Sequence, residues 1–325
     1  MPDRTVPPAD WAESEVDPAE AFSLLADANR FDLVRVLAEA EREPLPFKTL
    51  YERSNFDDSG QFNYHLDQLV GTFVRKTEDG ERTDGSRGSA DGRSAGGYEL
   101  RHAAAIVYRL AVSGLLSDRG EAEIAALDTP CPPCETGELV AVYEGDRFWV
   151  RCRDCGRRAA VGPFPPRALL NQGSDRAPAA FDRYAMGLVV RAVENVCPWC
   201  ASPLSAELEP ADETWPAVDW VVGRSCAHCR GWIYTRIHDL LRFHPAVIAF
   251  YHEYGVDILG SNFWEAEALM SDRTVVVDEA DGRAARVTLR HDDDEIELGV
   301  AEDLRASTVA VLNPDEIGRA SCRER

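Results

Sequence analysis

The placement of cysteine constrains this chain more than any other feature. Eight of its nine cysteines form four Cys-x-x-Cys pairs: Cys131 and Cys134, Cys152 and Cys155, Cys197 and Cys200, Cys226 and Cys229. Seventeen residues separate the first two pairs, and 25 separate the last two. Two thiolates on one tight turn can reach a single ion, and two such turns at this spacing complete a tetrahedron. Strand-like runs lie between the pairs at 139–143, 148–150 and 220–222, and after them at 159–161 and 232–234. Pair, hairpin, pair, strand is the layout of a zinc ribbon. We therefore expect two four-cysteine zinc ribbons holding two structural Zn²⁺ ions. Four thiolates saturate Zn²⁺ and leave no position for water or substrate. Ribbons this small have too little core to fold without the metal. Redox-sensing dithiols and an iron–sulfur centre are the alternatives; acidic surroundings disfavour the low thiol pKa that the first needs. The spacing does not prove which pairs share an ion, although sharing within each ribbon is the natural assumption. His228 lies inside a complete four-cysteine set and reads as a surface residue.

Paired cysteines used as metal ligands fit a reducing compartment. No run of about 18 apolar residues could span a membrane. The N-terminal segment lacks the charged-then-apolar profile of a signal peptide. A cytoplasmic location is expected. Asp and Glu total 57 against 35 Lys and Arg, a net charge of −22, and Lys48 and Lys76 are the only lysines. Acid spread along the whole chain with almost no lysine fits a high-salt cytosol, where carboxylates keep a protein hydrated. The competing explanation is a GC-rich genome with an acidic tail. A hydrophobic content of 45% supports packed cores.

Apolar spacing and breaker residues divide the chain into regions. Residues 1–18 are rich in Pro and acid and read as a flexible leader. Asp17 and Pro18 then open a helix as N-cap and first helical residue, and its apolar period runs to about Ala40. Residues 47–53 and 61–70 form two further helices, the second after a turn at 55–59. Residues 73–77 and 98–100 read as strands, and 102–116 as an apolar helix. Helix, helix, helix, strand, loop, strand, helix is a winged helix-turn-helix. The expected architecture is α+β: this N-terminal winged helix (19–117), a linker helix with the first ribbon (118–165), a spacer helix with the second (166–240), and a small α+β cap (241–315). The spacer helix is placed at 178–195. In the cap, helices are expected at 239–241 and 245–254, and strands at 274–277, 285–289, 295–298 and 308–312. Residues 316–325 read as translated sequencing adapter, since a nine-codon adapter string encodes 317–325; the alternative is an Arg-rich tail.

Residues 21–37 resemble the first helix of ArsR-like transcriptional regulators, and 58–69 followed by Phe73 and Val74 resemble their recognition helix and first wing strand. The arrangement looks like haloarchaeal members of that family. The resemblance covers 19–117, about a third of the chain, and implies double-stranded DNA as partner and a homodimer. At 100° per residue, Phe62, Leu66 and Leu69 share one sector and must face the core. Gln61, Asn63, Tyr64 and Gln68 lie on the other side with Asp67. Gln and Asn can pair bidentately with adenine, and Tyr can reach a phosphate or a thymine methyl. His65 is assigned to packing or capping. Arg75 and Lys76 open the wing, and Arg82, Arg87 and Arg93 punctuate its loop, as phosphate or minor-groove contacts. A solvated helix face and a loop with incidental arginines are the bland readings. Residues 19–117 carry 12 Lys and Arg against 16 Asp and Glu, so most of the negative charge lies elsewhere. The metal-sensing relatives typically carry ligands in or near the winged helix, but no cysteine precedes Cys131.

No Walker A or HExxH motif occurs, and His238, His244 and His252 have no matched nucleophile, so an enzyme is not expected. Trp199, Trp215, Trp220, Trp232 and Trp264 gather in the C-terminal half, where core packing is their commoner fate. The expected function is DNA-binding transcriptional regulation. The rival is a protein-interaction module of the transcription machinery, with winged helix and ribbons docking protein.

Overall fold

The computed structural model describes residues 17–40, 44–78, 96–117, 120–131, 134, 137–211, 220–277 and 284–300, and the backbone of 306–312. Arg82, Arg87, Arg93, Trp215, most of the expected leader and the expected adapter string lie outside the described residues. The protein is α+β, built of helices and small antiparallel sheets, and divides into two units, Met1–Leu116 and Ser117–Arg325.

The first unit runs α1 (Pro18–Leu25), α2 (Ala28–Ala38), α3 (Phe47–Arg53), α4 (Ser59–Leu69), β1 (Val74–Thr77), β2 (Gly97–Leu100) and α5 (His102–Val112). The single helix expected from Asp17 to Ala40 is two. Asp27 accepts from the amides of Asn29 and Arg30, both at 3.0 Å, and so starts α2 as its N-cap. Arg30 donates back to the carbonyls of Leu24 and Ser23, satisfying the end of α1. The apolar period continues across this break, which is why spacing alone reads as one helix. The core gathers Leu33, Leu50, Phe62, Leu66, Leu69, Val74 and Ala104. Phe62 is its aromatic centre: Phe47, Tyr51 and Phe56 meet it edge-on with centroids 5.0–5.5 Å away. β1 and β2 pair antiparallel from Val74↔Leu100 to Thr77↔Gly97.

The second unit opens on β3 (Ala122–Pro130), where a linker helix was expected. Ala, Glu and Leu favour helix in isolation. Pairing with β4 (Glu138–Glu144) overrides that preference. β5 (Arg147–Cys152) and β6 (Arg158–Pro163) complete a sheet of order β3-β4-β5-β6. The 139–143 run of β4 is buried at every position, as a strand covered on both faces must be. α6 (Pro166–Val193) is longer than the expected spacer and breaks at Gly173, whose φ of 75° suits glycine. Its Phe181 stacks on Phe148 at 4.6 Å. A second sheet follows, β7 (Ser205–Pro210), β8 (Trp220–Ser225) and β9 (Trp232–Arg236). Then come α7 (Ile237–Leu241), α8 (Pro245–Glu253) and α9 (Phe263–Leu269), and the meander of β10 (Arg273–Val277), β11 (Ala285–His291), β12 (Asp294–Val300) and β13 (Ala306–Leu312). Alternate residues Val287, Leu289, Ile296 and Leu298 pack against Leu241, Val247 and Tyr251. Of the tryptophans, Trp264 is buried and Trp220 half-buried, whereas Trp199 and Trp232 are half exposed.

Candidate metal centres and nucleic-acid interface

The cysteines form two clusters. Cys131, Cys134, Cys152 and Cys155 place their sulfurs within 4.8 Å of one another, and so do Cys197, Cys200, Cys226 and Cys229. Each cluster joins the two pairs of one ribbon. In the first, Cys131 and Cys155 are 3.8 Å apart and Cys134 and Cys152 3.6 Å. In the second, Cys197 and Cys229 are 3.6 Å apart and Cys200 and Cys226 3.5 Å. A tetrahedron of sulfurs about 2.3 Å from a zinc ion has edges of about 3.8 Å. The two clusters thus fit zinc ribbons and could each hold one metal ion.

The backbone explains how these turns form. The amide of Cys131 donates to Gly137, of Cys152 to Arg157, of Cys197 to Ser202 and of Cys226 to Gly231, at 2.8–2.9 Å. The residue after the second cysteine turns left-handed in three of the turns: Gly156 (φ 71°), Ala201 (60°) and Arg230 (60°). Burial repeats as well: the first cysteine of each pair is buried and the second is more open. Gly137 has no room for a side chain, because a Cβ there would overlap the sulfurs of Cys134 and Cys152. Burial pushes the Cys131 thiol up to about 12. Four thiols this close ionise together only with a cation among them. His228 is exposed.

Sequence reading gave no sign of a buried charged network behind the first cluster. Arg157, whose carbonyl accepts from Cys152, donates its guanidinium to Glu267. Glu267 also accepts from Arg236 at 2.7 Å, and Arg236 grips Asp239 through two bonds of 2.8 and 3.1 Å. All four side chains are at most 7% exposed. His238 and Arg242 are buried nearby in sequence, and burial lowers the pKa of His238 well below its usual value.

Asp182 is also fully buried, and accepts from the Phe263 amide at 2.7 Å. Burial raises its carboxyl to about 6, against the opposing pull of that amide and of Arg242. The folded chain then holds a proton that the unfolded chain releases, so this group removes stability as pH rises from about 4 to 6. Asp182→Asn keeps the acceptor and cannot ionise. Its stability relative to the parent is expected to improve by roughly 2–3 kcal/mol across that window and stay improved above it. Urea midpoints of the two proteins at matched pH check this; a pH-independent difference would contradict it.

In the first unit, Asp58 caps α4 by accepting from Gln61 at 2.7 Å. Phe62, Leu66 and Leu69 are fully buried, and Gln61, Asn63, Tyr64, Asp67 and Gln68 are exposed, Tyr64 to 60%. Asn63 donates to Asp67 at 3.3 Å. His65 packs on Phe56 and Tyr64, its Nδ1 3.6 Å from the capping Asp27. Lys76 is exposed with its ammonium 6.0 Å from the Tyr98 ring. Arg75 is bound by Glu99 at 2.7 Å, which offsets its charge. Among the described residues, no helix is long and apolar enough to cross a membrane.

Residues 128–306 match the family described as Domain of unknown function (DUF7351), and residues 18–111 match Domain of unknown function (DUF7347). No curated protein and no solved structure matches the chain.

Proposed function

The chain belongs to the DUF7351 family, which spans more than half of it, and we propose that it is a DNA-binding transcriptional regulator stabilised by two structural zinc ions. The reading rests above all on α4. Its outward face offers Gln61, Asn63, Tyr64 and Gln68 with a single charged residue, Asp67, in a chain otherwise dense in carboxylates. An exposed face kept nearly free of carboxylates suits a polyanion. The order α3, turn, α4, hairpin, α5 supports a winged helix-turn-helix in which α4 enters the major groove. The resemblance of 21–37 and 58–69 to ArsR-like regulators points the same way. Lys76 supplies a phosphate contact, whereas Arg75 must first leave Glu99. Phe22, Ile106, Leu110 and Val112 are 41–66% exposed on α1 and α5, an apolar surface suited to a second copy of the chain.

Zinc fits the sulfur-only ligand sets, and closed four-thiolate coordination gives it a scaffolding role. The double substitution Gln61→Ala with Asn63→Ala is expected to cost about 1–3 kcal/mol of specific DNA affinity while leaving non-specific binding intact. Fluorescence anisotropy on specific and scrambled duplexes measures both; unchanged specific affinity would refute the role of α4. The second reading, a protein-docking module, draws on exposed Trp199 and Trp232 and on the acidic balance of residues 19–117.

A further inference from the structure

The second ribbon departs from the rest of the chain in charge. The chain holds 57 Asp and Glu in 325 residues, yet 195–206 and 220–238, which carry both cysteine turns of this ribbon, contain none. The matching stretches of the first ribbon, 131–138 and 152–158, carry Glu135, Glu138 and Asp154. Glu207 and Glu209 stand on β7, which β8 separates from β9. Keeping carboxylates off one surface of so acidic a chain suits a polyanionic partner.

The first cysteine turn of this ribbon and the end of α6 line an open hollow of about 550 Å³. Val190, Val196, Pro198 and Trp199 give it apolar walls, with Arg191 and one acid, the α6 C-cap Glu194, beside them. A cavity of about 150 Å³ already takes up benzene, so a nucleobase fits. Trp199 is half exposed and within reach of a ligand, yet it is held in place: its ring lies so close to Gly231 that a Cβ there would overlap it. An indole fixed before binding loses little freedom when a second ring stacks on it. Arg191 donates to the carbonyl of Pro198 at 3.2 Å, which keeps its guanidinium next to this turn. Arg230 is exposed and immediately precedes Gly231.

An exposed indole alone would suit a protein partner equally well; the missing carboxylates and the two arginines favour phosphate. We propose that the second ribbon binds single-stranded nucleic acid, one base stacking on Trp199 in the hollow while Arg191 and Arg230 meet the flanking phosphates. A duplex hides its base faces, so this surface and α4 take different forms of nucleic acid. The probe is a short fluorescent oligothymidylate, titrated into the full-length, metal-loaded chain in molar KCl and followed by anisotropy. At that salt phosphate attraction is weak and stacking carries the binding. Saturable binding is expected. Trp199→Ala should weaken it about tenfold or more, and Trp199→Phe should keep most of it. Gln61→Ala with Asn63→Ala should leave it unchanged, so failure of the α4 reading does not touch this result. Inorganic polyphosphate and polyglutamate carry no bases and should compete poorly. The proposal is overturned by an absence of saturable binding, by binding that Trp199→Ala leaves intact, or by either polyanion competing as well as the oligonucleotide. Strong competition by polyglutamate alone would assign the surface to an acidic protein segment instead. Should Trp199→Ala lose its metal, NMR of the unaltered chain decides: the oligonucleotide must shift amides of 196–201 and 230–232, and shifts confined to 59–69 would overturn the site.

Discussion

Stripping the metal from this protein is expected to unfold both ribbons, a loss on the order of 10 kcal/mol per site. The cysteines sit where strands begin and end: Cys131 follows β3 and Cys152 closes β5 opposite Leu139. Without an ion, four thiols or thiolates crowd one point, and burial already pushes the Cys131 thiol up to about 12. Repulsion between thiolates and the cost of burying them then act against the turns. Cys152→Ser and Cys226→Ser should each lower the metal content from two ions to one. Each should expose its own ribbon to amide exchange and leave α4 protected. Mass spectrometry of the intact protein counts the ions, and exchange locates the damage. Retention of both ions, or protection lost across both units at once, would contradict the assignment.

Glu267→Ala is expected to destabilise the second unit by about 3–5 kcal/mol. Glu267 serves two buried guanidinium groups, Arg157 and Arg236, and Asp239 accepts from Arg236. The four charges cancel in the native protein. Removing Glu267 strands one net positive charge away from water, and that charge costs far more than the hydrogen bonds alone. Adding Arg157→Met should recover much of the loss, because it removes the stranded charge. Arg157 lies in the turn that carries Cys152 and Cys155, so the single variant should also release metal from the first cluster sooner than from the second. Urea unfolding followed by tryptophan fluorescence gives the energy, since Trp264 is buried in α9. A loss under about 1 kcal/mol would mean that water reaches these groups.

Much of the frame was legible because it depends on local chemistry. Asp17 marked a helix start and caps that helix, and the turn expected at 55–59 holds Asp58, which caps α4. Alternation located β11 and β12, and the cysteine spacing anticipated how the sulfurs would gather. Other elements were misread for identifiable reasons. The break at Asp27 turns on one capping side chain inside an unbroken apolar period. α9 went unseen although Asn262 and Glu265 form a capping box, a signal that was present in the sequence. β3 has helix-favouring composition and becomes a strand only through β4. The charged network was illegible in principle. Arg157, Arg236 and Glu267 are far apart in sequence, and nothing local distinguishes a buried arginine from the exposed ones around it.

The central claim is that α4 reads DNA sequence. The most direct test is selection of sheared genomic DNA by the purified, zinc-loaded chain in molar KCl, followed by sequencing. High salt suppresses non-specific phosphate binding, so any enrichment must come from base contacts and shape. The expected result is a small set of sites sharing a roughly palindromic motif, as two copies of α4 on one duplex would select. A folded, fully metallated protein that enriches nothing would contradict the claim and leave the docking module as the better account.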